Sequence, residues 1–556
     1  MEIKRVVFSA LIFVFFYNLL FFHTNLGVGT GLFFLLLNLF FYLNKAKEGK
    51  NLTLGITSSV ISTVFAVLVA GRANEVVIFI NYLTAVFFAL SAHYFYRESE
   101  VFNFQIPGFI LLPITVFIKA LSSFFGLFTT GEKIQSSVSK STTTFILRGV
   151  LITVPIFLVL AILLYNADPV FAKVWNDLLS NLGERLIVSI IIFITLFVLG
   201  ITKFIQKVDV SNIQNIQGER AYEFLVILIS LVSLFGLFIV IQIRYLFSRL
   251  GELELYQLGI TSLTYSEYVR KGFFELLIAS FIASLVLIYI LKLLHFLMDS
   301  RKQIVQLFSF LLTLEIGLLL LSAAQRLNLY ADAHGLTRAR IFGLIFLIWL
   351  ASILVILAVR IFKEYKRGVI FVLSLITVIL ALLSINLINI DGVIATRYKP
   401  TVNEEIDYFY ITGISEDAKD GWREALLEQE ALIESLRNDP DISDDDLRKL
   451  YWAKVTISRL AFQKSFLENK YGSEEIFQKN YPENLRQSPE YIKFLEDRNW
   501  QSLNLSELLA YQDILENKDL YNRTTSLLND IEQIELRVSP EIKRNIRLDR
   551  SLNPPF

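Results

Sequence analysis

Arg326-Leu327-Asn328-Leu329-Tyr330-Ala331-Asp332-Ala333-His334-Gly335-Leu336-Thr337-Arg338-Ala339-Arg340 is a polar island between two long apolar runs, 307–324 and 341–361. Fifteen residues with three arginines, an aspartate and a histidine read as a short connection between two membrane helices. Gly335 supplies the sharp turn, and Thr337 is placed to cap the following helix. Arg338 and Arg340 then fall in the first turn of that helix, where the helix dipole disfavours cations by roughly 0.3 to 1 kcal/mol. Such a placement calls for an anionic partner: Asp332, Glu275 or the C-terminal tail within the chain, or a bound anion such as a lipid phosphate.

Working outward, apolar runs long enough to cross a hydrocarbon core of about 30 Å occur at 6–22, 26–43, 52–70, 76–95, 145–165, 186–205, 224–247, 273–297, 307–324, 341–361 and 369–390. These define an all-α, polytopic transmembrane bundle of about eleven spans over residues 1–399. The composition agrees: 54% of residues are hydrophobic and there are 48 Phe. Lys4 and Arg5 precede a first run with no small-x-small cleavage site after it, so it reads as an uncleaved first span. Residues 106–127 are apolar but carry Pro107, Pro113 and Lys119. If they do not cross, the inner connections and helix ends gather twenty cations, Lys45, Lys47, Lys50, Arg97, Lys203, Lys207, Arg301, Lys302, Lys363, Lys366 and Arg367 among them, and the outer ones nine. The positive-inside rule therefore makes 106–127 interfacial or re-entrant, with a cytoplasmic N-terminus and an extracytoplasmic tail.

The zero net charge averages two unlike parts. Residues 400–556 carry 20 basic and 31 acidic side chains, so the tail is −11 and the rest +11. The tail reads as an acidic, helical, soluble domain. Ser443 with Asp446 forms a capping pattern, and Leu447, Tyr451, Val455, Phe462 and Phe466 fall on one helical arc. Further helices are expected at 416–437 and 506–517. Leaving the last span through Asp391, the tail presents Glu404, Glu405 and Asp407 beside Tyr408 and Tyr410. It is expected to dock over the arginine-rich connection.

Candidate polar residues outside the island are few. Glu275 enters the run 273–297, and Arg244 at the end of the preceding span is its expected ion-pair partner. Glu267 completes a capping box with Thr264. Glu315 stands about nine residues into its span, roughly 14 Å deep at helical rise, where an acid is a functional suspect. There is no cysteine, and the four histidines (His23, His93, His295, His334) never fall at metal-ligand spacing. No metal or other cofactor is expected. No phosphate-binding loop, Gly-x-Ser-x-Gly or His-Glu-x-x-His motif is present. Gly27-Val28-Gly29-Thr30-Gly31 reads as small-residue helix packing.

Several stretches resemble a bacterial multi-pass membrane family defined only by a domain of unknown function, the 4153/4173 group. They are Ala167-Asp168-Pro169-Val170-Phe171, Ile241-Gln242-Ile243-Arg244-Tyr245-Leu246-Phe247, 263–275, 329–340 with Trp349-Leu350-Ala351, 391–398, Ile406-Asp407-Tyr408-Phe409-Tyr410, Ser415-Glu416-Asp417-Ala418 and 499–506. His334 stands where the family is expected to carry tyrosine. The resemblance implies a polytopic protein of the bacterial cytoplasmic membrane with no assigned activity. Three function classes follow in order. The first is a non-catalytic envelope or signalling component, its partners the bilayer and an anionic lipid or envelope protein, with no role for nucleic acid. The second is a transporter or lipid handler using Arg244, Glu275, Glu315, Arg338 and Arg340. The third is a membrane glycosyltransferase, although the first outer loop, His23-Thr24-Asn25, lacks the acid such enzymes share.

Overall fold

The computed structural model describes residues 25–43, 51–97, 106–114, 159–167, 220–242, 265–293, 299–363, 367–402, 405–437, 442–481 and 488–537, with a few isolated positions besides. Helices are numbered over these residues. Among the described residues the fold is all-α apart from a two-stranded hairpin, Thr401–Val402 (β1) with Glu405–Ile406 (β2), paired Thr401↔Ile406. Six helices among the described residues are long and apolar enough to cross a membrane. They are α3 (Glu75–Arg97), α5 (Arg220–Gln242), α6 (Tyr265–Leu293), α7 (Asp299–His334), α8 (Arg338–Phe362) and α9 (Arg367–Leu387). Two shorter apolar helices, α1 (Val28–Leu43) and α2 (Leu52–Leu68), coincide with two more of the expected runs, and α4 is the five-residue Ile106–Ile110. The run expected at 186–205 and most of those at 6–22, 106–127 and 145–165 lie outside the described residues, while 159–165 is helical.

The chain forms two compact units: 1–124 with 334–338 and 382–556, and 125–333 with 339–381. In the first, α1, α2 and α3 pack through small residues, because without a hydrophobic drive in lipid close backbone approach supplies the contact. A Cβ at Gly31 would meet Val67 Cγ2 at 3.0 Å, and one at Gly55 would strike the Tyr96 ring. Asn38 Nδ2 donates to Ser62 Oγ at 3.1 Å and Thr63 Oγ1 at 3.2 Å, while Ser62 Oγ donates to the Ala85 carbonyl.

The tail belongs to this same unit. It continues through α10 (Ile390–Thr396), α11 (Tyr408–Gly413), α12 (Lys419–Arg437), α13 (Asp444–Tyr471), α14 (Glu474–Asn480), α15 (Pro489–Asp497), α16 (Leu505–Glu516) and α17 (Lys518–Arg537). Ser443 and Asp446 form the expected capping box at the start of α13. The buried face of α13, however, is Leu447, Leu450, Ala453, Ile457, Leu460 and Leu467, packed with Trp422, Tyr511, Tyr521 and Ile531. Of the expected arc only Leu447 is fully buried, and Phe462 is 69% exposed. Aliphatic side chains at helical spacing won the interior, because α12, α16 and α17 surround α13 on that side and leave its aromatic flank outward.

The central polar island is not a loop. Helix α7 runs on to His334, and only Gly335–Thr337 lies between it and α8. Alanines and leucines alternate with the charges as far as Ala333, and nothing breaks the helix until Gly335. At 36 residues α7 rises about 54 Å, well beyond the ~30 Å hydrocarbon core, so a polar end is tolerated. Gly335 adopts φ 68, and a Cβ there would collide with the Lys399 carbonyl. Only glycine fits both demands. The adjacent Leu336 N–H donates to the Tyr398 carbonyl at 2.9 Å.

Candidate functional site

Two carboxylates, Asp391 and Asp417, organise the first unit. Asp391 stands in the first turn of α10, whose N-cap Asn389 accepts from Gly392 N at 2.9 Å. Asp417 lies in the 3-10 turn Glu416–Ala418 that leads into α12. Both are almost wholly buried, so each must be matched by donors to remain tolerable.

Asp391 receives Arg338 in a fork, Nε at 2.8 Å and Nη2 at 2.5 Å. Asn74 Nδ2 donates to both of its oxygens at 3.1 and 3.0 Å. The Ser415 N–H donates at 3.3 Å, and the Ser415 hydroxyl closes on the same oxygen. Arg338 also uses its backbone N–H, which donates to the Tyr410 hydroxyl at 3.1 Å. The cation that a helix N-terminus should repel is thus held by the Asp391 carboxylate, and the backbone of the same residue by a tail tyrosine. Planar guanidinium against carboxylate is the geometry that makes such a pair strong.

Asp417 is held from the other side. The N–H groups of Ala73 and Asn74 donate to it at 3.0 and 3.2 Å, and Ser506 Oγ at 2.6 Å. Arg72 Nη1 lies at 3.4 Å. The same guanidinium donates to the Asn386 carbonyl from Nε (2.9 Å) and Nη2 (2.7 Å) and to the Leu387 carbonyl at 3.2 Å. It thereby satisfies the open C-terminal carbonyls of α9, a favourable place for a cation. Asn74 works twice as well: its Oδ1 accepts from Val76 and Val77 N–H at the start of α3 while its Nδ2 serves Asp391. Deeper in, Asn81 and Asn386 exchange side-chain hydrogen bonds at 2.7 and 2.8 Å.

A second seam runs along 497–506. Leu505 N–H donates to the Ala70 carbonyl (2.7 Å), Val28 N–H to the Leu503 carbonyl (3.2 Å), and Asn504 Nδ2 to the Arg72 carbonyl (2.7 Å). Asn25 N–H donates to Ser502 Oγ at 3.0 Å, and Asn25 Nδ2 bonds Asp497. Backbone comes this close because Gly27 and Gly29 lack side chains. A Cβ at Gly27 would stand 2.7 Å from the Gln501 carbonyl oxygen, and one at Gly29 2.9 Å from Gln501 Cβ.

The expected site residues are divided by this geometry. Arg338 enters the network with Asp391. His334 ends α7 half-buried. In the second unit Asp332 is exposed, and Arg340 lies over the Tyr330 ring at 3.6 Å. Arg326 is buried, with Nη1 on the Ala167 carbonyl at 2.6 Å. Glu275 is half-buried on α6, and Glu267 lies on the first turn of the same helix. Arg244, its expected pairing with Glu275, and Glu404 fall outside the described residues. Glu405 pairs with Lys449 at 2.8 Å, and Asp407 caps α11 through Tyr410 N–H at 2.9 Å, so both serve the tail itself. Burial pushes the Asp407 carboxyl up from its ordinary value. Among the described residues no group of histidines and acids is spaced to hold a metal ion.

The carboxylates of Asp391 and Asp417 are saturated by donors drawn from the 72–74 connection, α8, Ser415 and α16. A general base needs a lone pair directed at its substrate, whereas these are directed at the protein. The arrangement is a buried clasp that ties the tail to the ends of apolar helices, in a multi-pass, helical membrane protein. The family model for a domain of unknown function (DUF4153) matches residues 59–425, and the chain belongs to that family. The matched residues include Arg72, Asn74, Arg338, Asp391, Ser415 and Asp417, while Asn504 and Ser506 lie beyond them. Nothing matches among curated proteins or solved structures.

Proposed function

We propose that this protein is a non-catalytic component of the cell envelope, with about eleven spans, that displays its acidic helical tail as a fixed body on the extracytoplasmic face. One observation carries the reading: the most concentrated polar chemistry in the first unit is spent on holding the tail. Asp391 and Asp417 clamp it to the 70–74 connection, to Arg338 and to the end of α9. A tail that needed only a tether would not require two buried carboxylates, whose desolvation is costly unless each finds its full set of partners. A fixed tail suits a protein that presents a surface or transmits a displacement to its membrane helices.

The orientation is supported by charge. The tail contacts the chain at 25–28, 70–74 and 386–389, the ends of α1, α2, α3 and α9. Around the opposite ends of α1, α2 and α3 the sequence carries Lys45, Lys47, Lys50 and Arg97. The positive-inside rule sends those cations to the cytoplasm and the tail outward. The cysteine-free sequence makes the test direct. Phe462→Cys, at an exposed tail position, should react with a membrane-impermeant maleimide in intact cells. Lys47→Cys should react only after permeabilisation. The reverse pattern overturns the orientation.

A further inference from the structure

In the second unit the middle of α7 carries an acid that the clasp does not use. Glu315 is half-buried, and its Oε2 is buried with no hydrogen-bond partner among the described residues. Its Oε1 faces Gly236 of α5: a Cβ on that glycine would stand 3.2 Å away. Two residues on and on another side of α7, Gly317 lies against Leu354 of α8. The carboxyl thus faces a recess opened by a missing side chain on one neighbouring helix.

The charges available to these helices lie toward their ends. The interiors 224–241 of α5, 276–291 of α6 and 341–359 of α8 contain no Asp, Glu, Lys, Arg or His, and Tyr289 is their one ionisable side chain. On α7 itself the nearest ionisable groups are Lys302 and Arg326, roughly 20 Å and 16 Å along the axis at helical rise. Beyond these interiors stand Arg220 and Glu223 on α5, Glu275 and Lys292 on α6, and Arg340 and Arg360 on α8. Around Glu315 the exposed residues of α7 are Leu314, Leu318 and Leu321, a surface suited to lipid. Among the described residues an ionised carboxylate there would have no cation beside it to stabilise it.

We propose that Glu315 is a proton-binding site in the membrane interior, occupied at neutral pH and open to exchange through the oxygen that no described group engages. The proposal is independent of how the tail is held. It assigns a small, specific ligand, the proton, to a part of the molecule with no other polar function among its described helices.

Two measurements on the full-length protein in lipid test it. The first is infrared spectroscopy at neutral pH, comparing wild type with Glu315→Gln and Glu315→Asp. The wild type should show the carbonyl stretch of a protonated acid, lost in the glutamine variant and shifted in the aspartate variant. If the band lost is that of an ionised carboxylate, the proposal fails. The second is reaction with dicyclohexylcarbodiimide. The acid proton transfers to a carbodiimide nitrogen, the carboxyl oxygen adds to the central carbon, and acyl transfer to nitrogen leaves a stable N-acylurea, with no atom lost. Labelling should map to the peptide containing Glu315, disappear in Glu315→Gln and fall as the pH is raised. Labelling that does not depend on residue 315, together with an ionised-carboxylate spectrum, overturns the assignment.

Discussion

Replacing Arg338 by glutamine tests whether the clasp holds the tail or merely decorates it. Asp391 has a fully buried side chain, and Arg338 is 23% exposed on its own. Removing the guanidinium leaves a buried carboxylate with neutral donors only: Asn74 Nδ2, the Ser415 N–H and the Ser415 hydroxyl. Breaking a buried pair from one side costs about 3 to 5 kcal/mol. The remaining donors, and the water that can enter where the arginine stood, place the cost at the lower end, about 3 kcal/mol. At 1.4 kcal/mol per tenfold, the opening equilibrium of the segment around Asp391 and Ser415 should rise roughly a hundredfold. Hydrogen exchange followed by mass spectrometry on peptides spanning 390–415 reads that equilibrium directly. Arg437→Gln provides the comparison, since Arg437 pairs with Asp530 at 2.5 Å but is 53% exposed. It should change exchange by less than about 1 kcal/mol. Equal protection of 390–415 in wild type and Arg338→Gln would refute the reasoning, because a carboxylate this enclosed cannot lose its cation at no cost.

Other consequences follow from the same contacts. Gly335→Ala forces a β-carbon into the Lys399 carbonyl at φ 68 and should destabilise the first unit by about 1 to 3 kcal/mol, seen as a lower melting temperature in detergent. Gly27→Val should separate the 497–506 seam from α1 and raise exchange at Val28 and Leu505, whose N–H groups bond across it. Glu416 has its carboxyl pushed up to about 7 from 4.5, first by burial and then by the charges of Glu507 and Asp417. Its folded form therefore binds a proton more tightly than its unfolded form. Stability should fall as the pH rises from about 4.5 to about 7, by at most about 3 kcal/mol at 1.36 kcal/mol per unit. Glu416→Gln should flatten that slope in a pH series of thermal melts, and an unchanged slope would exclude Glu416 as its source.

The membrane helices were legible because lipid demands long apolar runs, and the turn at Gly335 because few residues tolerate its backbone. Arg338 announced itself too: a cation in the first turn of a helix needs an anion, and Asp391 supplies it. The rest of the clasp was hidden for a physical reason. Arg72 and Asn74, Asp417, and Ser506 come from three segments, the first two 343 residues apart and the last two 89, and each alone reads as an ordinary turn or cap residue. Asn74 is in fact the N-cap of α3 as well as a donor to Asp391. The available signals were Ser415-Glu416-Asp417-Ala418 and 499–506, patterned stretches with no function of their own in the sequence. The extent of α7 was missed because apolar periodicity stops near Ala324 while helix propensity does not. The buried face of α13 was misjudged because helical arcs of aromatics and of aliphatics overlap in sequence, and only the neighbouring helices decide between them.

The central claim, a tail fixed on the ends of the first membrane helices, is tested most directly by a disulfide in this cysteine-free chain. Asn25 and Ser502 touch through a backbone N–H and a hydroxyl at 3.0 Å, although 477 positions separate them in sequence. The double variant Asn25→Cys/Ser502→Cys, oxidised in native membranes, should form an intramolecular bridge rapidly and nearly completely. A control pairing Asn25→Cys with Phe462→Cys, on the exposed flank of α13, should not. Failure of the first pair to bridge, or equal bridging by both, would contradict a fixed tail.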